Sequence, residues 1–284
     1  MTIAVTAVSG QLGAAIASAL ITMNTGETIV GLARSPEKAN GLGIEVRPGD
    51  YDDADQLGVS LSGVDTLLLV SGMAAPEDRI GQHRNVINAA KAAGVKKIVY
   101  TSVQGAEVGT AFSPIIQSNR QTEADIRGSG LDWVIGRNGI YIEPDVEYIE
   151  SYSKAGEIAN CAGDGRCGYT TRPELAFAYA RMLAGSEHNG HTYNLHGALL
   201  RQTELAAYLN QAFGTELVYR PTSFEAFKAD RIAELGTFIG TVIAGIYQGI
   251  QNGASDNPSD FAAAAGRPHQ SWDDYFAALK SAQS

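Results

Sequence analysis

The stretch "TAVSGQLG", Thr6 to Gly13, decides how the rest of the chain is read. Gly10 and Gly13 hold the second and third places of a G-x-x-G-x-x-G spacing, while Ala7 stands at the first. Just upstream, and running into it, "IAVTAV" (3–8) is a short β-branched run. On its far side "QLGAAIASALI" sets Leu12, Ile16 and Leu20 at helical spacing. A buried strand therefore feeds a helix through a glycine turn, the arrangement in which free helix-start N–H groups meet a pyrophosphate. Gly10 lets the backbone approach that anion, and Gly13 lets the helix pack closely on the sheet. Ala7 is the departure: a Cβ there costs roughly 1 kcal/mol if φ is positive and almost nothing if it is negative.

The same alternation continues outward. "TIVGLAR" (28–34), "GIEVRPGD" (43–50), "VDTLLLVSG" (64–72), "KKIVYTSV" (96–103) and "LDWVIGRNG" (131–139) read as further strands. Helical stretches separate them, among them "RNVINAAKAAG", whose Val86, Ile87, Ala90 and Ala93 share a face and whose Gly94 is placed to end it. Parallel βαβ units with right-handed crossovers follow. The expected fold class is α/β: a doubly wound Rossmann sheet with its ligand at the carboxyl ends of the strands.

Composition excludes several classes. The 284 residues are 44% hydrophobic and 18% charged, enough apolar content for a large core, and the formal charge of −10 repels a phosphate backbone. Nucleic acid is therefore not an expected partner. The start lacks a charged region followed by a long apolar one, and no window of about eighteen uninterrupted apolar residues occurs, so no membrane partner is expected and the expected location is cytoplasmic. Cys161 and Cys167, in "NCAGDGRCGY", match neither a C-x-x-C redox pair nor a zinc spacing and read as two unpaired thiols.

An NAD-selective site of this type offers Asp or Glu about 20 residues past the glycines for the ribose hydroxyls. Here the second strand ends in "GLARSPEK", so Arg34, and secondarily Lys38, point to the 2′-phosphate of NADP(H).

At this point the blocks "TAVSGQLG", "GLARSPEKA", "VRPGDYDD", "LLLVSG", "QHRNVINAAKAAGVKKIVYTS", "GLDWVIGRNGIY", "AGDGRCGYTTRPELA" and "TYNLHGALLRQTELA" together resemble the NmrA-like branch of the atypical short-chain dehydrogenases/reductases. Within it the likeness is to bacterial NADPH-dependent quinone oxidoreductases and triphenylmethane reductases, over about residues 2 to 270. The resemblance implies that Gly10, Gln11, Leu12 and Gly13 line the pyrophosphate, Arg34 the adenosine phosphate, and Asp50 with Tyr51 the adenine side. Ser71 and Gly72 would pass beneath the cofactor with His83 close by. Thr101, Ser102, Asn138, Gly139 and Tyr141 would border the nicotinamide and the substrate. "NLHGALLRQTELAAYL" fits the start of the relatives' smaller, mainly helical substrate lobe, which implies a cofactor domain over residues 1–150 and a C-terminal substrate lobe over 151–284, with a strand near 193–195 returning to the main sheet. No tyrosine is followed four positions later by lysine, the pair with which ordinary members of the superfamily move a proton. In "SPIIQSNRQTEADI", Asn119 stands where relatives carry His or Lys; it cannot titrate, but it can orient a ribose hydroxyl or a substrate.

A nucleotide site without an acid–base pair suits a reductase whose acceptor is a quinone or a conjugated cation, or alternatively a non-catalytic NADP(H) sensor. In the reductase, Ser102, Asn138 and Tyr141 position the small-molecule electron acceptor. Downstream, "TELAAYLNQAFG" and "SFEAFKADRIAEL" read as helices. From Ile232 onward Leu235, Phe238, Ile239, Val242, Ile243, Ile246, Tyr247 and Ile250 form one helical stripe, suited to the main domain, to the sister subunit of a homodimer, or to roofing an apolar pocket. The acidic "GDYDDADQ" reads as a helix cap rather than a metal site, so no metal is expected; His188 and His191 read as exposed loop residues, and Trp272 as a core or interface aromatic opening the last helix.

Overall fold

The computed structural model describes residues 1–24 and 26–282. Its centre is a seven-stranded, wholly parallel sheet built from β1 (Thr2–Val5), β2 (Thr28–Ala33), β3 (Glu45–Pro48), β4 (Thr66–Val70), β5 (Lys97–Val103), β6 (Asp132–Asn138) and the strand His191–Leu195. Across the sheet the order is β3, β2, β1, β4, β5, β6 and then His191–Leu195. The central strand β4 is buried at every position, as its uninterrupted TLLLV demands of a parallel strand covered on both faces. The chain order reverses between β1 and β4, and this switch point is where a doubly wound sheet opens a crevice for a ligand.

Helices α1 (Gln11–Met23), α2 (Ala54–Ser60), α3 (Pro76–Ala92) and α4 (Ser113–Arg127) follow β1, β3, β4 and β5. Helix α1 lies on one face beside the helix Arg172–Ala184, burying Ile16 and Leu20 against Val5, Leu68 and Val99. On the other face α2, α3 and α4 bury Leu57, Val86, Ile87 and Ile126 against Leu67, Leu69, Ile98 and Tyr100.

The chain beyond residue 150 is shared between two places. The helix Arg172–Ala184 and the strand His191–Leu195 join the main sheet and its core, the strand pairing with β6 from His191 against Val134 to Leu195 against Asn138. The short helix Phe261–Ala265 packs on that core as well, and most of the remainder forms a separate core in which Leu205, Leu209, Ile250, Trp272 and Phe276 pack with Ile142, Ile158 and Tyr169. A short parallel strand pair, Ile140–Tyr141 with Tyr169–Thr170, ties this lobe to the exit of β6, and a second, Glu157–Asn160 with Val218–Pro221, lies within it.

Three expectations are corrected. The strand expected over 3–8 ends at Val5, because Ala7 at φ 52° breaks the extended run, although Thr6 and Val8 N–H still donate to the Leu68 and Leu32 carbonyls. The single helix expected from Ile232 is two, Phe224–Leu235 and Thr237–Gln251, broken where Gly236 adopts φ 81°. His188 is buried rather than exposed, its Nδ1 3.1 Å from the Tyr193 hydroxyl. Trp272 opens its helix as expected and is buried, with Nε1–H donating to the Ala198 carbonyl at 2.7 Å. Both cysteines are free and buried. Asp53 caps α2 by accepting from Gln56 N–H at 2.9 Å. No helix among the described residues is long and apolar enough to cross a membrane.

Candidate active site

The turn after β1 is held by a hydrogen bond from Gly10 N–H to the Ala7 carbonyl, 2.9 Å. Ala7 sits at φ 52°, in the left-handed region, so the conditional cost of its Cβ applies: roughly 1 kcal/mol of strain relative to glycine. Gly13 is the tighter constraint. A Cβ there would stand 2.4 Å from the Ala7 carbonyl oxygen and 2.9 Å from that of Thr6, so only glycine lets α1 begin against the turn. The tips of β1 and β4 are locked together nearby. Val70 N–H donates to Thr6 Oγ1 at 2.9 Å, and the buried Tyr51 hydroxyl contacts Thr6 Oγ1 at 2.5 Å and donates to the Val70 carbonyl at 2.8 Å.

Two cavities meet over this junction and share Ala7, Gly10, Val70, Ser71, Gly72 and Met73 in their walls. One, of about 480 Å³, runs toward β2 and is lined by Ser9, Arg34, Asp50, Tyr51 and Gln82. Lys38 lies in the 3₁₀ turn Pro36–Leu42, exposed, and lines neither cavity. The other, about 660 Å³, runs across the carboxyl ends of β4, β5 and β6, past Gln11, Leu12, Gly13, Thr101, Ser102, Asn119, Asn138, Gly139 and Tyr141. Phe238, Ile239, Val242 and Ile246, from the helix Thr237–Gln251, close it with an apolar roof.

The polar side chains in the larger cavity are held by defined partners. Asn119 Oδ1 accepts from the Tyr100 hydroxyl at 2.6 Å and from the Ser71 hydroxyl at 3.2 Å, while its Nδ2 donates to the Ile115 carbonyl at 2.8 Å. Ser102 donates to the buried Glu123 at 2.7 Å, and Glu123 is surrounded by Arg120, Arg127 and Arg137. Asn138 Oδ1 accepts from the Tyr179 hydroxyl at 2.6 Å. Burial raises the Tyr141 phenol above its ordinary range, against the lowering pull of Asn138 and of the Arg172 guanidinium 5.2 Å from its ring centre. The phenol therefore keeps its proton at neutral pH.

His83 does not line either cavity; it holds the floor. Its Nε2 accepts from Gly72 N–H at 3.0 Å, which leaves the proton on Nδ1 to donate to Thr122 Oγ1 at 2.9 Å. Desolvation, with help from Arg79, pushes its pKa down to about 3, so the ring is neutral.

Arg79, on α3, is the residue that sequence reasoning missed. It lines the larger cavity and is only 4% exposed, donates Nη2 to the Ala74 carbonyl at 2.9 Å, and leaves Nε buried without a partner. No carboxylate among the described residues forms an ion pair with it, whereas the buried Glu123 and Glu174 both have arginine partners. In "PEDRIGQH" nothing distinguishes it from an exposed arginine of an amphipathic helix. Arg172, the cation facing Tyr141, was likewise passed over within "TTRPELA".

A glycine turn at the switch point, joined cavities on either side of it and an unpaired buried cation define an α/β protein built to hold a dinucleotide. A family model described as NAD(P)H-binding matches residues 8–160. Quinone oxidoreductase 2 of Escherichia coli (strain K12) is 38% identical over 231 residues, 80% of each chain. The crystal structure of the NADPH-dependent quinone oxidoreductase from E. coli complexed with NADPH superposes with a TM-score of 0.89 at 33% identity, over 98% of this chain and 99% of the other. The Citrobacter sp. triphenylmethane reductase complexed with NADP(H) gives 0.89 at 33% identity, over 99% of each chain. The chain belongs to the NAD(P)H-binding family, in its NmrA-like branch of atypical short-chain dehydrogenases/reductases.

Proposed function

We propose that this protein passes hydride from NADPH to a quinone or a similarly delocalised electrophile. The observation that carries the reading is the make-up of the 660 Å³ cavity. It has a glycine turn at one end and an apolar roof at the other, and between them lie an uncharged carboxamide at Asn119, a hydroxyl donating to Glu123 and a protonated phenol. An acceptor that spreads incoming charge over a conjugated system needs orientation and exclusion of water more than an acid–base pair.

The residues fit the cofactor. Gln11, Leu12 and Gly13, whose N–H groups open α1 without an intrahelical acceptor, line the larger cavity beside the junction walled by Gly10, Ser71 and Gly72, where a diphosphate would lie, and Arg79 supplies a counter-charge that the protein itself leaves unanswered. Arg34, at the mouth of the smaller cavity, suits the 2′-phosphate, with Asp50 and Tyr51 on the adenine side. His83 acts through the Gly72 amide, and Asn119 ties Ser71 to β5 and α4. When bound, NADPH supplies a hydride, two electrons with one proton, at its dihydronicotinamide ring. Thr101 and Gly139 border that ring, while Ser102, Asn138 and Tyr141 hold the acceptor, the Tyr141 hydroxyl serving as a hydrogen-bond donor to an acceptor oxygen. The second proton of the hydroquinone comes from solvent. In this reading residues 1–150 carry the cofactor and residues 151–284 chiefly shape the acceptor side.

The test is NADPH oxidation with a panel of benzoquinones, naphthoquinones and cationic dyes. Turnover with saturation by at least one of them is expected. Tight NADPH binding with no turnover by any would contradict the reductase reading and favour an NADP(H) sensor.

A further inference from the structure

The described residues bury three carboxylates: Glu123, Glu174 and Asp145. Glu123 has three arginines and Glu174 has Arg267 at 2.7 Å. Asp145 forms no ion pair among the described residues. Its Oδ1 accepts from the hydroxyls of Tyr152 at 2.9 Å and Tyr247 at 3.2 Å, and Tyr169 also bears on the carboxyl.

Asp145 lines a third cavity, of about 460 Å³, in the C-terminal lobe. Four residues, Ile140, Tyr141, Pro144 and Ile246, wall both this chamber and the larger cavity, so the two adjoin through Tyr141. Aromatic rings make up much of its remaining surface: Tyr148 and Phe227, over which the Arg231 guanidinium lies at 5.9 and 5.5 Å, and Tyr152 and Tyr247, which sit beside Asp145. The other charged groups facing it are Glu157, held by Arg220; Arg231 with Glu234, 2.8 Å apart; and Asp230. Acidic groups therefore outnumber the single cation, which is itself neutralised by Glu234.

We propose that this chamber is an extension of the acceptor site that takes a positively charged organic ammonium group, with Asp145 as its counter-ion and the Tyr152 and Tyr247 rings beside it as walls. An ammonium against aromatic faces is attracted by their quadrupoles, and desolvation strengthens that attraction. A buried carboxylate held only by hydroxyls, with no counter-charge, gains most from a ligand that brings the missing charge. Burial pushes the Asp145 carboxyl up to about 6 against the opposing pull of the phenols, which still leaves it ionised for the most part at neutral pH. The inference that the group belongs to the acceptor rests on the reductase reading; binding of the cation does not.

Calorimetry on the full chain with NADPH present separates the two. The probes are choline and its uncharged analogue 3,3-dimethylbutan-1-ol, of the same shape. The expected result is choline binding at least about tenfold tighter, with the difference lost in Asp145→Asn. Should that variant not fold, Ser151→Lys, which places a cation on the chamber wall at an exposed helix position, is expected to abolish the preference instead. Equal binding of the two probes, or an undiminished preference in whichever variant folds, overturns the proposal. For the acceptor, matched quinones with and without an ammonium side arm should differ in KM by a similar factor in the wild type, and Asp145→Asn should close that gap. Choline preference without any difference between the quinones overturns the link to the acceptor, and absence of turnover with every acceptor of the panel overturns the reductase reading while leaving the cation site to the calorimetry.

Discussion

Gly13→Ala tests the geometry of the turn with one methyl group. Its Cβ would meet the Ala7 carbonyl oxygen at 2.4 Å, the Ala7 carbonyl carbon at 2.8 Å and the Thr6 carbonyl oxygen at 2.9 Å. All three are backbone atoms, so no side chain can swing aside. The start of α1 must retreat by about 1 Å to restore ordinary carbon–oxygen contact. Alanine's better helix propensity returns up to about 1 kcal/mol, but overpacking costs typically about 1–3 kcal/mol and the rigid neighbours put this site at the upper end. A net loss of about 2 kcal/mol corresponds to a fall in Tm of about 4–8 °C for a chain of this size. The same retreat draws the helix-start amides away from the Gly10 turn, so NADPH affinity should fall about tenfold. Gly81→Ala is the control: Gly81 is exposed in α3 with nothing near its missing Cβ, so it should gain up to about 1 kcal/mol with no change in affinity. Thermal denaturation and calorimetry measure both quantities. Wild-type Tm and wild-type affinity in Gly13→Ala would refute the close approach of helix and turn.

Three further outcomes are expected. Arg34→Ala should weaken NADPH by about tenfold or more while leaving NADH nearly unchanged, measured by calorimetric titration; equal losses would remove the 2′-phosphate contact. Arg79→Met should weaken NADPH by a similar factor yet leave the Tm of the free protein unchanged or higher, because a buried unpaired cation is removed; a lower Tm with unaltered affinity would make Arg79 a structural residue only. His83 is held neutral with a pKa of about 3, whereas the unfolded chain protonates near 6.5, so the unfolded state binds the extra proton between these values and stability rises with pH across that window. At about pH 5 the effect is about 2 kcal/mol, and denaturant unfolding should show His83→Gln, which can still accept from Gly72, with a flatter dependence there; parallel curves would contradict a neutral buried imidazole.

Much of the sheet was legible because parallel strands buried on both faces need apolar runs, and "LLLV" and "KIVY" admit no other role between helices of polar outer face. The return of the strand near Tyr193 to the main sheet came instead from the resemblance of the C-terminal blocks, since HTYNL is an edge strand that alternates buried and open positions. The break at Gly236 was not, since the apolar stripe keeps its step on either side and only the glycine itself, at φ 81°, marks the interruption. The joined cavities gather Gly10 to Gly13, Arg34, Asp50, Tyr51, Ser71, Gly72, Thr101, Ser102, Asn119, Asn138, Gly139 and Tyr141 around one switch point. Residues whose meaning depends on a missing partner escaped. Arg79 and Asp145 are ordinary charged residues of helical segments in the sequence, and only the fold removes the counter-charges each would otherwise have. His188 escaped as well, since a short polar loop gives no sign that Tyr193 will cover it.

The most direct test of hydride transfer follows NADPH carrying deuterium at the transferable position of its dihydronicotinamide ring, mixed with the protein and a benzoquinone. Consumption of NADPH mole for mole with hydroquinone formation, slowed by the deuterium, is the expected result. Tight binding of NADPH with no consumption by any quinone offered would contradict the account at its centre.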